Sequence, residues 1–114
     1  MLAMLMKKAE KEGLSSIIEP RKAEAHTLNI GCREEADFAL AFYVMHELPD
    51  MGKALHEISE ALRPGGRVLV AEPSMFVSAG EFAKTCRIAV EEGFDVKEMP
   101  RILFSRAVVM EKRV

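Results

Sequence analysis

The stretch Leu62 to Pro73, "LRPGGRVLVAEP", decides the fold. It reads as the end of a helix, a tight glycine turn, and a buried strand stopped by proline. That is half of an α/β nucleotide-fold unit. No glycine-rich phosphate loop accompanies it: the glycines stand at 13, 31, 52, 65, 66, 80 and 93, and none makes a G-x-G.

Upstream, Met51, Leu55, Ile58 and Leu62 recur at steps of four, three and four, one stripe of a helix. Asp50 is its N-cap, and Pro64 with Gly65-Gly66 stops it. "HELPD" before it is a loop. "ADFALAFYV", Ala36 to Val44, is a nearly continuous apolar run, which predicts a central strand covered on both faces. Further back, "SSIIEPR" is a short strand candidate. Met1–Glu12 carries an amphipathic stripe and ends at Gly13.

Downstream, Ser78-x-x-Glu81 is a capping box opening a helix that runs to about Glu92, with Phe82, Cys86, Ala89 and Val90 inward. Gly93 closes it. "FDVKEM" and "RILFSRAVVMEKR" read as a hairpin joined around Met99–Arg101. Helices alternating with buried strands predict an α/β fold. Its sheet is mostly parallel, with helices on both faces and a C-terminal antiparallel hairpin.

With 114 residues the chain suits one domain, and the balance of 49% hydrophobic and 30% charged residues is that of a globular protein. The net charge of −2, with both signs interspersed, argues against a nucleic-acid partner. "FALAFYVM" is too short to span a membrane. The order of charge in "MLAMLMKKAEKEG" argues against a secretory signal. Cys32 and Cys86 form no CxxC, which suits reduced thiols in the cytoplasm. His26, His56 and Cys32 show no metal-ligand spacing, so no metal is expected.

"ADFALAFYVMHELPDMGKALHEISEALRPGGRVLVAEP" resembles the central segment of class I S-adenosylmethionine-dependent methyltransferases, nearest the ubiquinone/menaquinone-biosynthesis-like group. Four features carry the resemblance: the strand opening at Asp37, the "HEL" loop, "LRPGG", and a strand ending in an acid. "EEGFDVKEMP" is similar to the family's next step. The family's sheet order is 3-2-1-4-5-7-6, with strand 7 antiparallel. "SSIIEPR" resembles its strand 3, "DFALAFY" strand 4, "RVLVAEP" strand 5 and the last hairpin strands 6 and 7. Strands 1 and 2 have no counterpart. Neither does the glycine-rich turn nor the acid that holds the ribose. Residues 1–114 are therefore expected to form a single truncated methyltransferase-like domain.

The resemblance implies site residues. Lys22 and Ala23 match the adenine contact, although lysine cannot accept from an amino group. Ala41, Phe42 and Tyr43 match the methionine end of the cofactor. His46 is the candidate catalytic base, since a neutral imidazole can accept a proton. A structural hydrogen bond is the competing reading. Glu72 is the candidate for orienting the acceptor substrate, against a carboxylate that caps nearby N–H groups.

The implied activity is methyl transfer from S-adenosylmethionine to a small molecule. Cofactor binding by this chain alone is expected to be weak or absent. A long apolar strand without its neighbour is a self-association site. Hence a homo-oligomer, or completion by an N-terminal segment, is expected. The alternative is a non-catalytic scaffold or oligomerisation domain derived from a methyltransferase.

Overall fold

A computed structural model describes Lys7, Lys8, residues 10–13, Arg21 and residues 27–114. Strand β1 (Ala36–Phe42) leads through a 3-10 turn (Met45–Glu47) into helix α1 (Met51–Ala61) and strand β2 (Leu62–Pro73). Helix α2 (Ala79–Glu91) follows, then β3 (Phe94–Glu98) and β4 (Ser105–Lys112). The sheet order is β1-β2-β4-β3. β1 pairs with β2 in parallel, and β4 is antiparallel to both β2 and β3. Three strands therefore run one way and β4 alone runs back. This is the expected 4-5-7-6 portion of the order, with the reversed strand in its expected place.

Local chemistry sets the helix ends. Asp50 accepts from the Lys53 N–H at 3.0 Å. The Ser78–Glu81 capping box is complete, with Glu81 N–H donating to Ser78 Oγ at 3.1 Å and Ser78 N–H to Glu81 Oε1 at 3.2 Å. α1 buries Ala54, Leu55, Ile58 and Ala61; α2 buries Phe82, Thr85 and Ala89. Val90, expected inward, is exposed, because the buried stripe runs along 82, 85 and 89.

The opening stretch does more than turn the chain. Leu62 caps α1, its N–H donating to Ile58 O, and β2 begins at that same residue. Ala36 pairs with Leu62, and the next pair is Phe38 with Arg67. Two steps on β1 face five on β2, so the segment around Pro64 bulges out of the ladder. Gly65 holds φ 82°, a conformation that L side chains resist. A Cβ on Gly66 would lie 2.9 Å from Arg63 O and 3.2 Å from Ala36 O. Both atoms are backbone and cannot swing aside. Gly66→Ala is expected to cost about 1–3 kcal/mol, as overpacking does, and Gly65→Ala about 1–2 kcal/mol. Urea midpoints measure both; an unchanged midpoint for Gly66→Ala would contradict the packing.

The core lies between the sheet and the two helices. Val68 and Val70 of β2 and Val108 and Met110 of β4 are fully buried against Leu55, Ile58, Phe82 and Ala89. The expectation that β1 is covered on both faces is corrected. Phe38, Leu40 and Phe42 point away from the helices and are exposed. They alternate with Ala39 and Ala41, which pair with Val68 and Val70 on the helix side. The far face has no described element over it, and among the described residues β1 has a strand on one side only. The apolar run is therefore two-sided in composition but one-sided in cover.

Helical backbone at Lys7, Lys8, Glu10 and Lys11, ending before Gly13, agrees with the first expected helix where it is described. The strand expected at "SSIIEPR" lies outside the described residues apart from Arg21. So do Lys22, Ala23 and His26. The last expected strand is shorter than its apolar pattern. Residues 99–104 form a loop, Phe104 holds φ 59°, and pairing starts at Ser105. Both cysteines are free thiols, and burial raises the Cys86 pKa above the ordinary thiol range. No helix among the described residues is long and apolar enough to cross a membrane.

Candidate functional site

Parallel pairing of β1 with β2 builds the site. Phe42 pairs with Ala71. The residues just beyond β1 therefore arrive beside Glu72, the penultimate residue of β2. This is the carboxyl end of the parallel strands, where open α/β sheets place ligands.

Glu72 is 1% exposed, yet every contact suits a carboxylate. Oε1 accepts the Met45 N–H at 3.1 Å. Oε2 accepts the His46 N–H at 3.1 Å and lies 2.7 Å from His46 Nδ1. A carboxylate only accepts, so Nδ1 carries a proton, and in the neutral ring Nε2 has the free lone pair. Nε2 lies 3.9 Å from Glu47 Oε1, on a side chain that is partly exposed. The imidazole is thus oriented from behind by a buried acid and presents its basic nitrogen outward, the arrangement of a positioned general base.

Two sequence candidates therefore converge. His46 keeps a geometry that can accept a proton. Glu72 was weighed as a substrate contact against a carboxylate that caps nearby N–H groups; it faces inward, and its oxygens take the N–H groups of the turn that carries His46, as the second reading expects. The pairing spans 26 positions in sequence.

Ala41 is buried in the core cluster. Phe42 and Tyr43 stack with ring centroids 4.2 Å apart and planes 19° from parallel. Tyr43 holds φ 60°, an outlier for a bulky residue. Three contacts keep it there: its N–H donates to Ala71 O at 2.8 Å, its ring stacks on Phe42, and its hydroxyl meets Ser105 Oγ. Such strain costs about 1–3 kcal/mol and concentrates at ligand sites. Sequence reasoning picked out Tyr43 but missed Ser105, which no local motif marks.

Two further loops share this end. Ser74 N–H and Ser74 Oγ both donate to Phe104 O at 2.9 Å, tying the β2–α2 loop to the β3–β4 loop. A cleft of about 710 Å³ opens between α2 and the second loop, with Ser105 in its wall. No group of three or more His, Cys, Asp or Glu that could hold a metal ion occurs among the described residues.

A family model described as a methyltransferase domain matches residues 1–70. Among curated proteins, none matches the chain. Solved structures do. The [4+2]-cyclase SpnF superposes with a TM-score of 0.78 at 14% identity over 98% of this chain. A SAM-dependent methyltransferase from Aquifex aeolicus gives 0.76 at 18% identity over 93%. An S-adenosylmethionine-dependent methyltransferase from Mesorhizobium loti gives 0.67 at 11% identity over 90%. At these identities the likeness is one of fold. The chain spans 63%, 60% and 76% of those three proteins respectively.

Proposed function

Because the chain belongs to the methyltransferase domain family, we propose that it serves S-adenosylmethionine-dependent methyl transfer to a small molecule, with His46 as the base. The observation that carries this reading is the His46–Glu72 pair at the carboxyl end of β1 and β2. The wording "MHEL…LRPGG" further supports the ubiquinone/menaquinone-biosynthesis-like group as the nearest subgroup.

The residues present fit the cofactor in part. Phe42 and Tyr43 offer aromatic faces, which attract a sulfonium cation. Ala41 offers backbone at the strand end. The glycines offer no cradle: Gly65 and Gly66 are committed to the bulge, and no G-x-G exists. When bound, S-adenosylmethionine supplies a methyl group on a positively charged sulfur. The chain's own task is to align an acceptor with that methyl group, which provides most of the rate. His46 Nε2 then takes the proton the acceptor sheds, while Glu72 holds Nδ1–H and stabilises the imidazolium by charge.

Partial fit predicts partial affinity. Titration calorimetry with S-adenosylhomocysteine is expected to give a Kd of about 0.1–1 mM, roughly 4–5.5 kcal/mol. Phe42→Ala should weaken it severalfold. Absence of binding at several millimolar would overturn Phe42 and Tyr43 as cofactor contacts. Low-micromolar binding would overturn the partial fit.

A further inference from the structure

We propose that the cleft between α2 and the 99–104 loop binds an apolar acid: a hydrophobic body carrying a carboxylate. The cleft measures about 710 Å³, within the ~300–1,000 Å³ typical of small-molecule sites. Phe82, Met99, Ile102 and Phe104 form its apolar wall, and Ala79 and Ala83 on α2 leave room between them. Leu103 and Phe104 are each 78% exposed, in a loop where polar residues would be ordinary. This is apolar surface held out of the core, which marks interaction sites.

The charge of the ligand follows from the arginines. Arg33, Arg63, Arg67 and Arg113 each pair with a carboxylate of the chain. Arg101 and Arg106 line the cleft; like Arg87, they have no carboxylate partner among the described residues. Arg106 is anchored through Nε to Val77 O at 2.8 Å, which leaves its terminal nitrogens for a ligand. No acidic side chain lines the cleft. A guanidinium fork matches a carboxylate in geometry as well as charge, whereas an ammonium ligand would be repelled. Ser105 joins this cleft to Tyr43 through their hydroxyls. That the apolar acid is the methyl acceptor rests on the methyl-transfer reading; its binding does not.

The test titrates the full chain with dodecanoate below its micellar concentration, with dodecanol, and with dodecyltrimethylammonium. Dodecanoate is expected to bind saturably, about tenfold more tightly than dodecanol, as for a partly exposed charge-assisted hydrogen bond. The ammonium should bind more weakly still. Replacing both arginines by glutamine should erase the preference, and replacing both by lysine should keep only the part that charge alone supplies. The ligand series on the unmodified chain gives an answer even if a variant fails to fold. Equal affinity for all three ligands would overturn the proposal. So would binding to anionic phospholipid vesicles without binding of monomeric dodecanoate, since exposed Met75 and Phe76 lie in the loop tied to this one. Binding of dodecanoate without S-adenosylhomocysteine would keep the site and remove the acceptor role. The converse would leave methyl transfer standing and overturn the cleft proposal.

Discussion

Glu72→Ala lowers the stability of the domain by about 3–5 kcal/mol, as expected when several donors lose one buried charged acceptor. Three donors lose their acceptor at once: the Met45 and His46 amides and His46 Nδ1–H. Each buried donor left unmet costs about 1–3 kcal/mol, and water can reach only part of the space. A domain of this size is stable by about 5–15 kcal/mol, so the loss takes a large share of the total. Glu72→Gln is milder, about 1–3 kcal/mol, because its carbonyl oxygen still accepts while its amide nitrogen opposes a donor. Urea unfolding of the three proteins measures the order wild type, Gln, Ala. An Ala variant within 0.5 kcal/mol of wild type, on the scale of a neutral surface substitution, would show that the carboxylate does not hold the turn.

Phe94→Ala is expected to cost as much by a different route. Phe94 is 0% exposed and opens β3 directly after the last turn of α2. Its ring fills core shared by both helices and β4. The backbone around it cannot close over a void. Arg113 N–H donates to Gly93 O, and the Arg113 guanidinium donates to the carbonyls of Phe94 and Val90. Truncation of a buried phenylalanine costs about 3–5 kcal/mol, which lowers the thermal midpoint by about 10–20 °C. Phe94→Leu, which keeps most of the volume, should cost about 1–1.5 kcal/mol. Calorimetry of the pair separates cavity from contact: equal losses would mean the ring is not packed as described.

Much of the fold was legible because its signals are local. Asp50, Ser78 and Glu81 are caps whose partners lie three residues away, and the α1 stripe repeats within one helix. What failed depends on distance. The cover over Phe38, Leu40 and Phe42 is a matter of which elements lie opposite, and an apolar run carries no record of that. Leu103 and Phe104 read as strand for the same reason: their composition is β-like while their surroundings are open. In the candidate site, His46 and Glu72 were each visible, but their bond arises from strand register. The choice between the two readings of Glu72 follows from its three contacts with that turn.

The two amide bonds to Glu72 also have a consequence in time. The turn after β1 has a loop sequence, yet its N–H groups are anchored to a side chain rooted inside β2. Those bonds open only when the end of β2 opens. The Met45 and His46 amides should therefore exchange with solvent hydrogen as slowly as strand amides do. The orientation of the imidazole thus lasts as long as the sheet itself, and fraying at the loops leaves it in place.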